Sequence, residues 1–593
     1  MDEKPKSIWK KSWLWKGWRG YFLLSMVFSA VPFITILLAG LMMKAKDSAL
    51  PLATFFALTG FFMVSFVSFI RWVFCWRNFK RFLFGCACFA TLIALFYAEE
   101  DWRGKHDWEK FKREWEAKGE HFDFASIVPP PVPDDQNFAM QPIWVDSIKF
   151  EFGTNVAKQW YGETMTESER TNLVDRLGLS IYGNEDWKSA PTNGNWAKGT
   201  ETNLRGWQNY YRALAAKTNL FPVAPQPQMP AQDVLLALSK YDSAIEGLRE
   251  TSKLPYSRFP VFSDADRPFD TLLPHLSVFK ICAQFLQLRA SAELQNGQSD
   301  KALEDIKLAV ELMGKFRNEP FLISHLVRIA MLQITLQPVY EGLANHQWSD
   351  AQLAELDSEF EKLDFLADYE NSIRGERAMA IADIEYMRHI KSFRSWMEDV
   401  SGGYNRNSHD LVARILFNLT PSAFFYQNEL TISKMYQQWV LPSVNLENQI
   451  ISPALTHKNQ MAAAKELKHH PWPYKVFAFG LFPAVENMVE KFARAQSVTD
   501  LARTAIALER YRLAHGEFPE SLDVIASQFI AQVPHDVIGG QPLHYRRTSD
   551  GQFILYSVGW NEKDDGGVTG HHNGGSLPDF DSGDWVWRYP AKN

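Results

Sequence analysis

Residues 506–525 read IALERYRLAHGEFPESLDVI, and residues 541–567 read QPLHYRRTSDGQFILYSVGWNEKDDGG. Apolar side chains recur at helical spacing through the first stretch and the residues before it, which predicts a helix from about 484 to 515. Two strand-like runs within 543–558 flank a Ser-Asp-Gly turn, and this pattern predicts a β-hairpin. The two stretches therefore predict a small α+β domain over 481–593.

Three short motifs in this region match a known family. They are ALERY at 507–511, HGEFP at 515–519 and YSVG at 556–559. They resemble the globular domain of the major pseudopilin of type II secretion, in which Ala-Leu-x-x-Tyr precedes Asn-Gly-x-Tyr-Pro and a later strand carries Tyr-Ser-x-Gly. The resemblance is confined to the C-terminal α+β domain. It implies a pseudopilin-like fold that serves assembly or binding more than catalysis.

The same resemblance implies a calcium site, because in that family the loop after the last long strand binds calcium. The implied oxygen ligands here are Asn561, Asp564, Asp565, Asp579 and Asp581. Such oxygen atoms are the ligands that a hard cation needs. Asn561 stands where the family usually has Asp. The alternative is that this acidic, glycine-rich loop is simply solvated, and the sequence leaves it open.

The chain departs from pseudopilins at its other end. Pseudopilins begin with a processed Gly-Phe-Thr-Leu-x-Glu helix that polymerises through its apolar stem, and this sequence has no such start. We therefore expect the C-terminal domain to be displayed on a membrane-tethered protein rather than to enter a pseudopilus.

Three apolar segments predict a membrane anchor. Residues 20–43 and 48–70 contain no charged residue, and each is long enough as a helix to cross a hydrocarbon core of about 30 Å. Residues 82–98 would reach about 26 Å as a helix and complete three transmembrane helices within 20–98. Basic residues concentrate in 1–19 and between the second and third segments, which predicts a cytoplasmic N-terminus. The bulk of the chain would then be periplasmic in a bacterial inner membrane. If the third segment does not span, the bulk lies inside.

A stalk and linker over 99–148 follow the anchor. Tryptophans and charges alternate there at helical spacing, and four prolines within 127–135 favour an extended spacer. Residues 149–480 then predict a mainly helical domain with helical hairpins. The clearest pair, 279–294 and 301–314, predicts an antiparallel hairpin that weakly resembles a tetratricopeptide-type motif, without a second copy at that period.

Tryptophans also concentrate between 150 and 230, at Trp160, Trp187, Trp196 and Trp207. Exposed indoles can stack on sugar rings, whereas buried indoles fill a core. The sequence favours the core and leaves the sugar-binding alternative open.

The candidate catalytic acids are Glu376 and Asp383, on one predicted helix. Paired acids can divide general acid and base roles, but ion pairs between helices are the more frequent use of such residues. The sequence lacks the common nucleophile, zinc and nucleotide signatures.

The composition argues against nucleic acid as a partner and against a disulfide-rich fold. The 62 Lys and Arg residues and 69 Asp and Glu residues give a net charge of -7, so no global basic surface exists for nucleic acid. Of four cysteines, three lie in or beside the apolar segments, which excludes a disulfide framework in the remainder.

These patterns together predict a membrane-anchored, mainly α-helical protein. We expect a non-catalytic envelope scaffold or interaction protein, associated with a type II secretion-like system, whose partners are the lipid bilayer and envelope or secretion proteins. The alternative is a periplasmic hydrolase that acts on glycan or peptide through Glu376 and Asp383. A deep pocket that joins Trp160 or Trp207 to these acids would favour the hydrolase.

Overall fold

The computed structural model describes most of the chain from residue 76 onward. The described ranges are 76–144, 179–183, 186–218, 220–261, 271–390, 419–468, 474–481, 488–571 and 578–588, with isolated positions between 30 and 66. The first two predicted spans lie almost wholly outside the described residues, as does Trp160. The chain divides into two compact units, 1–102 and 103–593.

The protein is mainly helical, as predicted, with 65% of it in helices. In chain order the helices are α1 Trp76–Glu116, α2 Phe124–Ile127, α3 Leu204–Ala215, α4 Pro230–Leu238, α5 Asp242–Ser252, α6 His275–Gln295, α7 Ser299–Gly314, α8 Leu322–Ala344, α9 Asp350–Glu361, α10 Phe365–Ile390, α11 Ser422–Met435, α12 Pro453–Lys468, α13 Val476–Leu481 and α14 Met488–His515. Single helical turns connect several of them.

The helix α1 joins two segments that the sequence pattern separates. The predicted third span, 82–98, and the charged stretch after it form one continuous helix of 41 residues. Within the described residues, two helices are long and apolar enough to cross a membrane, by length and composition only. One is Phe79–Glu116, whose most apolar stretch has no buried residue; the other is α8, for which 61% of that stretch is buried in the protein. We therefore assign α8 to the core.

The centre of the unit 103–593 is built around α6, α7 and α8. The helices α6 and α7 form the predicted antiparallel hairpin, and Gly297 in the connecting turn has a φ of +73°. Fifteen of the 21 residues of α6 are buried, because α6 packs against α4, α7 and α8. A helix that is covered on several sides belongs to the middle of a core.

The helix α9 begins with a capping box. Ser349 Oγ accepts a hydrogen bond from the Gln352 amide at 3.3 Å, and Gln352 Oε1 accepts one from the Ser349 amide at 2.9 Å. Two N-terminal amide donors are thereby satisfied, which fixes the start of the helix.

The C-terminal β-hairpin is also confirmed. The strands are β1 Val444–Asn445, β2 Ile450–Ile451, β3 His544–Arg547, β4 Phe553–Ser557, β5 Thr569–His571, β6 Pro578–Gly583 and β7 Trp585–Trp587. The strands β3 and β4 pair antiparallel, with Tyr545 opposite Leu555. The strand β7 joins them in the order β3-β4-β7, while β5 pairs with β6.

The helix α14 matches the predicted long C-terminal helix, although 482–487 lie outside the described residues. Its predicted apolar stripe is buried: Val498, Leu501, Ala505 and Leu508. Charged residues beside the stripe also bind neighbours. Arg503 Nε donates to Asp357 of α9 at 2.8 Å, and Arg510 Nε donates to Asp350 at 2.8 Å. The helix α14 thus packs against α8, α9 and α10 as well as the sheet. The domain boundary at 480/481 stays a prediction.

Candidate functional site

A buried charge cluster lies where α5, α6 and α7 meet. Asp305 on α7 is fully buried. Arg289 on α6 donates Nε to its Oδ2 at 2.6 Å and Nη2 to its Oδ1 at 2.9 Å, and Arg249 on α5 donates Nη2 to Oδ1 at 3.0 Å. A buried carboxylate is tolerated when cations and hydrogen bonds compensate it. Two guanidinium groups therefore hold Asp305 as the structural centre of the cluster.

Glu293 lies one helical turn after Arg289 and is partnered differently. It is 3% exposed. Its Oε1 is 3.6 Å from Arg289 Nε, which is beyond hydrogen-bond distance, and its Oε2 has no hydrogen-bond partner among the described residues. Burial, and secondarily the negative charge of Asp305, raises the pKa of Glu293 to about 8. Near neutral pH this side chain therefore carries a proton.

Glu293 forms part of the wall of an open groove of about 700 Å³ between α4, α5, α6 and α7. This groove, which we call the α6 groove, has a volume in the range of small-molecule sites. Its acidic residues are Asp242, Glu246, Glu293, Asp300 and Glu304. Its basic residues are Arg249, Arg289 and Lys301. Leu235 and Leu236 supply apolar surface. The groove thus combines an acidic lining with one buried, incompletely bonded carboxyl group.

The predicted catalytic acids lie elsewhere, on α10. Glu376 Oε1 accepts a hydrogen bond from the amide of Leu322, the first residue of α8, at 3.1 Å. Burial raises the pKa of Glu376 to about 7. Asp383 lies seven residues further along α10 and is partly buried. Neither acid lines the α6 groove. Glu376 stabilises the start of α8, and a catalytic role for the pair stays a prediction.

The adjacent arginines of α10 form ion pairs with another acid, Glu120. Arg374 Nη2 lies 2.9 Å from Glu120 Oε1, and Arg377 Nη2 lies 2.9 Å from Glu120 Oε2. These two cations lower the pKa of Glu120 to about 2, against the opposing effect of its burial. Glu120 lies in the segment that follows α1, and its two ion pairs hold this segment against α10.

The tryptophans of 150–230 that the structure describes belong to the core. Trp207 is fully buried, donates Nε1 to Asn193 Oδ1 at 3.0 Å and packs against Tyr211. Trp196 stacks on the buried Trp587 of β7, with 5.5 Å between ring centroids. Trp160 and the side chain of Trp187 lie outside the described residues. Neither Trp196 nor Trp207 presents an open face to a sugar.

The predicted calcium ligands lie in and around the loop after β4. Asp564 accepts hydrogen bonds from the Gly566 amide and from Tyr556 Oη, both at 2.9 Å. These bonds, with the Gly566 amide first, lower the pKa of Asp564. Asn561 Nδ2 donates to Asp565 Oδ2 at 3.1 Å. The loop thus has its own hydrogen bonds.

The remaining predicted ligands, Asp579 and Asp581, are in β6, and their side chains lie outside the described part of the chain. Asp584 is buried and accepts hydrogen bonds from the amides of Asp565 and Gly567 at 3.2 and 2.6 Å. Within the described ranges, no group of three or more His, Cys, Asp or Glu side chains converges as a metal site. Calcium binding stays a prediction.

Comparison with protein-family models, with curated proteins and with solved structures finds no match for this chain.

The residues of the α6 groove are the ones that sequence reasoning missed. One feature of the sequence pointed to this region. Asp305 follows Ala302 by three residues and precedes Ala309 by four, so it lies on the apolar stripe of its helix. An acid on such a stripe must find a buried partner or a ligand.

Proposed function

We propose that this protein is a membrane-anchored scaffold or interaction protein of the bacterial envelope, which acts by binding rather than by catalysis. The observation that carries the proposal is the α6 groove, an open cavity of about 700 Å³ lined by charged and apolar side chains of four helices. A cavity of this size with convergent polar groups is the kind of site at which a small molecule or a side chain of a partner binds.

The membrane placement is part of the proposal. Large apolar side chains of α1 are exposed, among them Leu83, Phe84, Phe89, Leu92 and Phe96. A contiguous apolar surface of this kind favours a lipid environment. The basic N-terminal tail favours a cytoplasmic N-terminus and a periplasmic unit 103–593.

The proposed partners are envelope or secretion proteins, and this part of the proposal extends the pseudopilin resemblance of the C-terminal residues. The long helix α14 followed by the β3–β4 hairpin supports it, because this order of elements is the one that the resemblance implies.

A site-specific crosslinking experiment tests the binding function in membranes. A photo-crosslinking amino acid replaces Glu246, whose side chain is 57% exposed at the rim of the α6 groove, or Glu355 on α9, which is 54% exposed and lies outside the groove. A periplasm-only reporter after Asn593 reports topology. We expect an active reporter and a discrete crosslinked product at position 246 that is absent at 355. An active reporter without any product at 246 would contradict the proposal.

One observation favours the alternative of a hydrolase, namely the pKa of about 7 for Glu376, which suits a general acid. The contact with Leu322 is evidence for a structural role instead. The wild-type chain and Glu376→Gln are assayed with a fluorescent glycan or peptide substrate. Turnover by the wild type that is abolished in the variant would support the hydrolase instead of the binding function. Glutamine keeps an oxygen for the Leu322 amide, so the variant should remain folded.

A further inference from the structure

We infer that one exposed face of α12 contacts the headgroups of anionic lipids in the bilayer that holds α1. This inference rests on the proposed membrane placement and adds a second contact with lipid, made by the unit 103–593.

The face is a stripe along α12 that the core leaves uncovered. Thr456, Ala463 and Leu467 are buried on the side of the helix that packs against residues 436–443. The opposite side presents four exposed residues at i, i+4, i+7 and i+11, which is the spacing of one side of a helix. We call this stripe the α12 face: Ala454, Lys458, Met461 and Lys465.

The charge of the α12 face is opposite to that of the unit that carries it. Residues 1–102 contain 12 Lys and Arg residues against six Asp and Glu residues, so the net charge of -7 for the whole chain leaves -13 on the unit 103–593. Lys458 and Lys465 lie on the face, and Lys468 is exposed beside it. Glu466, the single acid in the sequence of α12, forms an ion pair with Lys475 instead. Because an anionic bilayer repels the acidic unit and attracts this face, the face is the part that turns toward lipid.

Apolar side chains among the lysines favour lipid over a purely polar partner. Met461 is 61% exposed between Lys458 and Lys465, and Leu455 is 40% exposed on the flank of the α12 face. An interfacial helix places such side chains at the boundary of headgroups and acyl chains, which removes their apolar surface from water. Lysine stems can lie along the same boundary while their ammonium groups reach the lipid phosphates. The α12 face therefore offers both kinds of contact that a bilayer surface provides.

A series of contacts joins the end of α12 to α1. Tyr474, which follows α12, accepts a hydrogen bond at its carbonyl oxygen from Thr431 Oγ1 of α11 at 3.3 Å. One turn earlier on α11, Gln427 Nε2 donates to Asp107 Oδ2 of α1 at 3.4 Å. Asp107 follows the predicted third span, 82–98, by nine residues within one continuous helix. This continuity with the membrane helix makes the bilayer the partner that we assign to the α12 face.

The test uses the full chain in lipid nanodiscs, with a photo-crosslinking amino acid in place of Met461. Glu355 of α9, which is 54% exposed and lies outside the α12 face, is the control position. The discs contain either phosphatidylcholine alone or phosphatidylcholine with phosphatidylglycerol, and mass spectrometry measures the lipid adducts. We expect about fivefold more adduct at position 461 in the anionic discs than in the neutral ones, and background adduct at position 355 in both.

Three results would overturn the inference. Background adduct at position 461 in the anionic discs would show that the α12 face does not contact lipid. Equal adduct in the two kinds of disc would show that lysines do not recognise the headgroup charge. A crosslinked dimer in place of a lipid adduct would assign the face to a second copy of the chain.

Paired variants assign the contact to the lysines of the α12 face. Lys458→Gln combined with Lys465→Gln keeps both side chains polar but removes their charge, so the adduct at position 461 in anionic discs should fall about fivefold. Lys253→Gln combined with Lys280→Gln removes the same charge at exposed positions elsewhere and should leave the adduct unchanged. In 1 M salt, where the Debye length is about 3 Å, the wild-type adduct should fall as well. Unchanged adduct in the first pair would contradict the role of these lysines.

The experiment separates this inference from the proposed function. Failure of the chain to enter nanodiscs would refute the membrane placement, and this inference with it. Entry into the discs and a discrete product at position 246, without any lipid adduct at position 461, would refute the lipid contact of α12 alone.

Discussion

Replacing Glu293 with glutamine should stabilise the protein at alkaline pH and have little effect in mild acid. Burial raises the pKa of Glu293 from 4.5 to about 8 in the folded protein. The stability that this group contributes is therefore full below pH 4.5 and is lost as the pH rises to about 8, since the unfolded chain ionises more easily than the folded one. Glutamine is uncharged at every pH and so avoids the loss.

The size of the effect follows from the same numbers. A pKa that rises from 4.5 to about 8 corresponds to about 5 kcal/mol of unfolding free energy between the two limits. Unfolding entropy is about 2 cal/mol/K per residue, so across the unit 103–593 about 1 kcal/mol shifts the Tm by about 1 °C. The Tm advantage of Glu293→Gln should grow from about 1 °C at pH 5 to about 5 °C at pH 9.

Thermal scans of the full chain in detergent at pH 5, 7 and 9 provide the measurement. Other buried acids with raised pKa values, such as Glu376 and Glu429, titrate in wild type and variant alike, so the Tm difference isolates Glu293. Glu311→Gln should show no pH-dependent difference. A Tm difference between Glu293→Gln and wild type that stays constant from pH 5 to pH 9 would refute the reasoning.

Three further predictions address the cluster, a helix contact and the metal. Arg289→Met removes two hydrogen bonds from buried Asp305 and should lower the free energy of unfolding by about 3–5 kcal/mol, measured as a Tm lower by several degrees at pH 7. An unchanged Tm would contradict this and show that Arg249 alone compensates the Asp305 charge. Gly375→Ala should lower the Tm at least as much as Arg289→Met, because an added Cβ would lie 1.6 Å from the Pro320 carbonyl oxygen. A Tm equal to that of the wild type would contradict this close contact. Calcium at millimolar concentration should raise the Tm and chelator should reverse it if the C-terminal loop binds the ion, whereas no change in either direction would refute the site.

Local patterns predicted the elements whose determinants are close in sequence. The α6–α7 hairpin and the β3–β4 hairpin each depend on residues that are close in sequence, so spacing alone was enough. The sequence pattern did not predict that the third span and the charged stretch after it form one helix. A change from apolar to charged residues alters the environment of a helix without breaking its backbone hydrogen bonds, so the helix continues across it.

The site could not be predicted in the same way. Its members Arg249, Arg289, Glu293 and Asp305 come from three helices, and only the packing of those helices decides which acid receives the two arginines. Sequence spacing places Arg289 one turn from Glu293, which on an isolated helix would suggest an ordinary ion pair. In the folded protein Asp305 takes that cation instead. The competition between two acids for one arginine is a tertiary effect that no local pattern encodes.

The geometry around each buried acid, more than its pKa, separates a structural role from a binding role. Glu376 and Glu293 both have raised pKa values, but the amide of Leu322 bonds to Glu376, whereas Oε2 of Glu293 has no such partner among the described residues. Glu429 has a pKa raised to about 8 and an unbonded Oε1 within the described ranges, yet it does not line the α6 groove. Burial is the main cause of all three raised pKa values, so the pKa alone does not assign a role to any of these acids. The contact with Leu322 assigns a structural role to Glu376, which its pKa would not do.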